Sequence, residues 1–176
     1  YGPKGAGALY VKNGLTLEGL MHGGNQENGY RAGTENTPYI VGMGQAAHLA
    51  VNGLDESSAG MARLRDRLLK QLVESIPGLE VNGGNAARLP NTLSLSFPHV
   101  GGSEILKRLP EICSSTGSAC HSTGKIESAT LTAMGKDLSQ IAGTIRLSCG
   151  WYTSQDEIDR AASLLIDAWE NLAGLP

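Results

Sequence analysis

Aromatic residues are scarce in this sequence of 176 residues, where they make up 5% of the composition. No apolar run approaches the roughly 20 residues that a helix needs to span a bilayer. The first residues also lack the basic-then-apolar order of a secretory signal. Positive charge is not in excess, because the formal net charge is -3, which argues against a nucleic-acid-binding surface. We therefore expect neither a membrane nor a nucleic-acid partner.

Cysteine is the next scarce residue. The chain has three cysteines, an odd number that argues against a disulfide framework and is typical of a reducing compartment. We therefore expect a cytoplasmic protein. No C-x-x-C pair occurs, so no metal site is predicted. Cys113 and Cys149 lie in or beside apolar segments, and we expect both to be buried packing residues.

Glycine, by contrast, is abundant: the chain has 24, and they are concentrated toward its beginning. Residues 13–36 predict a glycine-rich loop that is too long to be a mere connector, which indicates a functional role. A short strand is expected at 8–11. A helix should follow the loop, with Thr37 as its cap and Pro38 in its first position, and should end at Gly53.

Residues 55–176 alternate between helical and strand patterns. One helix carries apolar residues at helical spacing over 61–76, and a last helix opens on the capping-box pair Ser154 and Glu157. The other predicted elements are strands at 79–81, 93–97, 112–114 and 145–147, a short helix at 103–109 with Ser103 as its cap, and a short helix at 129–134. This mixture predicts an α/β or α+β fold, in which helices pack on one face of a small sheet. The first 50 or so residues are expected to form an element separate from residues 55–176.

The third cysteine, Cys120, lies in a run of small residues at 114–124. Gly117 and Gly124 lack a Cβ, so the backbone there can adopt unusual dihedrals and move. The neighbours of Cys120 are hydroxyl residues, an alanine and His121, none of which would build a core. This composition favours a nucleophile on a flexible loop over a structural cysteine. His121 titrates near neutral pH and could lower the pKa of the thiol.

Arg146 is a charged residue between two apolar ones, Ile145 and Leu147, in a predicted strand. Alternation along the strand could simply place it on the solvent face. The other interpretation is a carboxylate clamp, since the planar guanidinium can form two parallel hydrogen bonds with a carboxylate. The sequence leaves both interpretations open.

A second polar cluster lies at residues 31–36. Arg31 supplies charge, Gly33 lets the backbone approach an anion, and Thr34 offers a hydroxyl and an N–H, so the cluster suits a phosphate. It equally suits an ordinary turn that leads into a helix. His22, in the motif MHGG, adds an imidazole that can donate or accept a proton.

Several motifs, taken in order, resemble the class V aminotransferase superfamily and, more narrowly, cysteine desulfurases and selenocysteine lyases. These motifs are YGPKGAGALYV (1–11), MHGG (21–24), RAGT (31–34), PNTLSLSF (90–97), GSAC (117–120) and IRLS (145–148). The resemblance covers essentially the whole chain and implies the C-terminal part of an aspartate-aminotransferase-like fold that depends on pyridoxal phosphate. Residues 1–54 would then end the large cofactor-binding domain, and residues 55–176 would form the small domain with the cysteine loop.

The resemblance also implies an activity: removal of sulfur from L-cysteine with pyridoxal 5′-phosphate, leaving alanine, and transfer of the sulfur to an acceptor or scaffold protein for iron–sulfur cluster assembly. Cys120 matches the nucleophile that takes the sulfur as a persulfide. Arg146 matches the residue that binds the substrate carboxylate. Thr34 matches a threonine that reaches the cofactor phosphate of the other subunit in a homodimer. The accessory candidates are His22, Arg31, Gly33 and His121.

In the family, the lysine that forms the Schiff base lies just upstream of the YGPKG motif, so the resemblance places it outside this chain. Lys4 matches a different family position. Two alternatives stay open. The pair of Cys120 and His121 is similar to selenocysteine lyases, which release selenium from L-selenocysteine. The absent lysine suggests instead a non-catalytic sulfur carrier or partner-binding module.

Overall fold

The computed structural model describes residues 1–116 and 128–174. Cys120 and His121 lie outside the described residues, so the predictions about their loop stay predictions. The chain divides into two compact units, Tyr1–Leu54 and Asp55–Pro176, and each is described by itself. The assignment of the first unit to a cofactor-binding domain and of the second to a small domain also stays a prediction.

The first unit consists of a long irregular segment and a helix, α1 (Thr37–Asn52). A short turn at Gln26–Gly29 lies within the irregular segment. Pro38 lies in the first turn of α1, and Gly53 follows its last residue, as predicted. The predicted cap is wrong by one residue, because Thr37 is already helical and Asn36 holds the cap position.

The strand predicted at 8–11 is wrong. The segment pairs with no other strand in the described part of the chain. Leu9 and Tyr10 are 76% and 87% exposed. A sequence with strand propensity forms a strand only where a neighbour accepts its backbone hydrogen bonds, and the described residues offer these four no such neighbour.

The second unit contains a three-stranded antiparallel sheet. Its strands are β1 (Glu80–Val81), β2 (Thr92–Ser96) and β3 (Thr144–Ser148), in the order β1-β2-β3. Leu93 lies opposite Leu147 in the register between β2 and β3. The alternation that predicted these strands is therefore confirmed, with the apolar side chains on one face and the hydroxyl side chains on the other.

Five helices accompany the sheet in the described residues: α2 (Leu54–Ser75), α3 (Gly102–Arg108), α4 (Ala129–Ala133), α5 (Leu138–Ala142) and α6 (Gln155–Ala173). Leu72 of α2 and Leu165 of α6 are fully buried and share one core cluster with Leu95 and Ile145 of the sheet. Helices therefore pack against the apolar face of a small sheet, which confirms the predicted fold class.

The ends of the shorter elements show what the sequence pattern missed. Gly101, not Ser103, caps α3, and residues 112–114 form no strand. The unpredicted helix α5 begins with a capping box in which Asp137 accepts a hydrogen bond from the backbone of Gln140. The predicted capping box of α6 is confirmed. Among the described residues, no helix combines the length and apolar character that a membrane span requires.

Candidate functional site

Arg146 lies at the centre of β3, between the buried side chains of Ile145 and Leu147. It is itself exposed, and strand alternation places it on the face opposite the core. No described residue forms an ion pair or a side-chain hydrogen bond with its guanidinium. Among the described residues Arg146 therefore presents an unpaired bidentate donor on the polar face of the sheet, a position consistent with both of its sequence interpretations.

The backbone of Arg146 is held on both sides. On one side Arg146 pairs with Ser94 of β2. On the other it forms a two-residue bridge with Ser115: the Arg146 N–H donates to the Ser115 carbonyl at 2.7 Å, and the Ser115 N–H donates to the Arg146 carbonyl at 3.3 Å. This bridge anchors the chain beside Arg146 five residues before Cys120.

Helix α4 begins directly after Ser128. Ser128 caps α4 by accepting a hydrogen bond from the Leu131 N–H at 3.3 Å. The chain is thus paired with Arg146 at Ser115, before Cys120, and is helical again from Ala129, after it.

The predicted phosphate cluster lies in the first unit. Arg31 donates from Nη1 to the carbonyl of Ala32 at 2.7 Å, and the Gly33 N–H donates to the side-chain oxygen of Gln26 at 3.1 Å. Gly33 has φ +104, and a Cβ there would lie 2.9 Å from the Arg31 Nη1, so this position favours glycine. The Gly33 N–H is therefore already used within the loop, whereas Thr34 is exposed and its hydroxyl has no partner among the described residues.

His22 belongs to the same folded loop. The N–H of Ala32 donates to the carbonyl of Met21 at 3.3 Å, which ties the neighbour of His22 to the neighbour of Gly33. The structure therefore brings His22, Arg31 and Gly33 into one loop, with Thr34 next in sequence. Arg146 belongs to the other unit.

The two described cysteines differ in their surroundings. Cys149 is buried as predicted, and burial raises the pKa of its thiol, an effect that the nearby Arg65 partly opposes. Cys113 is exposed, so the prediction that it is buried is wrong; the strand expected around it does not form. Both line a small pocket of about 80 Å³. No group of three His, Cys, Asp or Glu residues in the described part of the chain could hold a metal.

This difference predicts selective alkylation. With the folded protein near pH 8, we expect iodoacetamide to modify Cys113 at least about ten times faster than Cys149, because Cys149 is buried and its raised pKa lowers the fraction of reactive thiolate. Peptide mass spectrometry over time measures both rates. In denaturant the two rates should become similar. Equal rates in the folded protein would contradict the burial of Cys149.

Residues 1–161 match the family model for aminotransferase class-V. A cysteine desulfurase from Nostoc sp. (strain PCC 7120 / SAG 25.82 / UTEX 2576) is 44% identical over 177 residues, which covers 99% of this chain and 44% of that protein. The chain thus spans less than half the length of this relative.

Solved structures agree in fold. A NifS-like protein matches with a TM-score of 0.79 and 35% identity, over 99% of this chain and 44% of that one. SspA in complex with cysteine matches with a TM-score of 0.62 and 32% identity, over 87% of this chain and 42% of that one.

Sequence reasoning singled out Arg146 as a candidate but not the residues beside it. Ser94 and Ser115 flank Arg146 on the two neighbouring backbone segments. The alternating serines of β2 indicated a polar face, but only the register reveals which serine lies opposite Arg146.

Proposed function

Because the chain belongs to the class-V aminotransferase family, we propose that it is the C-terminal part of a cysteine desulfurase that uses pyridoxal phosphate to remove sulfur from L-cysteine and leave alanine. The family depends on pyridoxal phosphate, and the cysteine desulfurase of Nostoc is one of its members similar to this chain. The observation that carries the proposal is the guanidinium of Arg146, which has no partner within residues 1–116 and 128–174 and lies beside Ser115, on the segment that leads to Cys120. The relatives and solved structures described above do not support the two alternatives, a selenocysteine lyase and a non-catalytic carrier module.

In this proposal Arg146 binds the substrate carboxylate. A guanidinium and a carboxylate form two parallel charge-assisted hydrogen bonds, which fix both the position and the orientation of the substrate. The pairs that Arg146 forms with Ser94 and Ser115 hold its backbone in place, so the side chain extends from a rigid support. Such positioning lowers the entropy cost of bringing the reacting atoms together.

Cys120 accepts the sulfur. Its thiolate forms a bond to the substrate sulfur while the carbon–sulfur bond breaks, and the electron pair of that bond stays with the carbon, which takes up a proton and becomes the methyl group of alanine. Cys120 then carries a persulfide, whose outer sulfur passes to an acceptor protein for iron–sulfur cluster assembly. Cys149 is unsuited to this role, because burial keeps its thiol protonated.

The residues present fit one end of the cofactor. Thr34 offers a hydroxyl without a partner among the described residues, and Arg31 uses only part of its donor fork on Ala32. We propose that Thr34, assisted by Arg31, holds the cofactor phosphate of the partner subunit in a homodimer. When bound, pyridoxal phosphate supplies the electron sink for the reaction. A preceding part of the enzyme would supply the Schiff-base lysine.

The test is steady-state kinetics of the intact enzyme, with this chain joined to its cofactor-binding part. The wild type should release alanine and sulfide in equal amounts from L-cysteine in the presence of a thiol reductant. Arg146→Gln should raise KM about 100-fold, because a charge-assisted bidentate contact worth roughly 2–3 kcal/mol is lost.

Arg67→Gln is the matched control. Arg67 of α2 forms an exposed pair with Asp159 of α6 at 2.6 Å, and its loss should leave KM within about twofold. A wild-type enzyme that produces no alanine would refute the proposed function. An unchanged KM in Arg146→Gln would refute only the role of Arg146.

A further inference from the structure

We propose that Ser94 is a second binding residue for the substrate carboxylate and that Asn82 positions its hydroxyl. This inference rests on the proposed function, in which Arg146 binds that carboxylate. It concerns a row of polar side chains that crosses the sheet at Arg146. The row consists of Asn82, Ser94, Arg146 and Ser115.

Backbone pairing establishes the row. The Asn82 N–H donates to the carbonyl of Ser94 at 2.8 Å, which extends the β1–β2 register by one residue beyond β1. Ser94 then lies opposite Arg146, and Arg146 opposite Ser115. Side chains of directly opposed residues in an antiparallel pair lie on the same face, with Cβ atoms about 5 Å apart. A ligand on the Arg146 guanidinium therefore binds above a surface that includes the Ser94 hydroxyl.

The hydrogen bonds around Asn82 leave the Ser94 hydroxyl with a free proton. The side-chain amide of Asn82 donates to Ser94 Oγ at 3.3 Å and to Ser96 Oγ at 3.0 Å. A hydroxyl that accepts such a bond can still donate its own proton. No described residue accepts a hydrogen bond from Ser94, so this proton is available to an oxygen of a bound carboxylate.

Burial distinguishes Ser94 from the other hydroxyls of the network. Ser96 and Thr144 are buried, and their Oγ and Oγ1 atoms lie 2.9 Å apart. Thr144 in turn donates to the carbonyl of Gln140 at 2.7 Å. Ser94 is only half-buried and borders the exposed Arg146. Among these three hydroxyls, Ser94 alone combines a free proton with access to a ligand. Asn82, which is 7% exposed, fixes the position of the Ser94 hydroxyl from the neighbouring strand position.

The experiment uses the intact enzyme and two ligands that differ in the carboxylate, L-alanine and L-alaninamide. In Ser94→Ala we expect KM for L-cysteine and the dissociation constant of L-alanine to rise about tenfold, with kcat within twofold. L-alaninamide, which has no carboxylate, should bind with unchanged affinity. Ser94→Thr keeps the hydroxyl and should restore both values to within about twofold of the wild type.

Ser96→Ala is the matched control, because it removes a hydroxyl from the same Asn82 network at a position opposite Thr144 instead of Arg146. It should change neither ligand's affinity by more than about twofold. A wild-type enzyme that does not prefer L-alanine to L-alaninamide would refute the carboxylate site of the proposed function. If Ser94→Ala kept the full preference for L-alanine over L-alaninamide, or if Ser96→Ala lowered that preference equally, the role of Ser94 would be refuted. The carboxylate site of the proposed function would not be affected by that result.

Discussion

Sulfide release from L-cysteine should fall at least about 1,000-fold when Cys120 is replaced by serine in the intact enzyme. The proposed reaction needs a thiolate that attacks sulfur and then holds it as a persulfide. A serine hydroxyl stays protonated near neutral pH and cannot hold sulfur in this form. Sulfide formed per enzyme subunit is measured in the presence of a thiol reductant. Mass spectrometry of the peptide that carries position 120 is done on enzyme treated with L-cysteine without reductant, and this peptide should gain one sulfur atom only in the wild type.

Cys113→Ser is the matched control. Cys113 is an exposed thiol seven residues before Cys120, so it tests whether any accessible cysteine near the loop can serve. Its replacement should keep sulfide release within about twofold of the wild type. Undiminished release from Cys120→Ser, or a persulfide that forms on Cys113 in its place, would contradict the assignment of the nucleophile.

The longer elements of the fold were predictable because each carries a repeated signal. In α6, Ile158, Leu165 and Trp169 recur at helical spacing and are buried. In β2, Leu93 and Leu95 alternate with serines and face the core. Such patterns require no knowledge of which other segment is nearby, since one face of the element must be apolar in any packing arrangement.

The elements that sequence reasoning missed depend on a partner or on a single local contact. Residues 8–11 have strand propensity but no paired neighbour in the described part of the chain. Helix α5 has five residues, too few to show a period, and its signal is the capping box of Asp137 and Gln140. A search for capping boxes as well as periodicity would have found it.

The sequence was enough to predict the exposure of Arg146, the charged residue of the candidate site, but not which residues lie beside it. Alternation placed Arg146 on the polar face, but its pairing with Ser94 joins positions 52 residues apart, and no local signal encodes that register. The loop of the first unit shows the same limit, because the Gly33 N–H is occupied by Gln26, seven residues earlier. A hydrogen-bond donor that a sequence motif offers to a ligand can already be bonded to another residue of the folded chain.

The link between α5 and β3 depends on a glycine, and we expect Gly143→Ala to destabilise the second unit by about 3 kcal/mol. A Cβ at position 143 would collide with the backbone carbonyl of Phe97 and would lie 3.1 Å from that of Val100. The same segment is tied to Gly143 by a hydrogen bond from the Phe97 N–H to the Gly143 carbonyl at 2.9 Å. Because the obstacles are backbone atoms, no side-chain rotation relieves the collision, and thermal or urea unfolding should show the loss.

Gly60→Ala is the control that separates this collision from a general intolerance of added methyl groups. Gly60 lies inside α2, where the nearest atom to an added Cβ is the end of the Arg63 side chain at 3.8 Å. Alanine there should stabilise the protein by up to about 1 kcal/mol, since glycine in a helix interior has the larger conformational entropy to lose. Opposite signs for the two substitutions support the close approach of the Phe97 and Gly143 backbones. If Gly143→Ala left the free energy of unfolding unchanged, the backbones at Phe97 and Gly143 would be able to move apart. The backbone of Arg146, three residues later, would then be held less firmly than we propose.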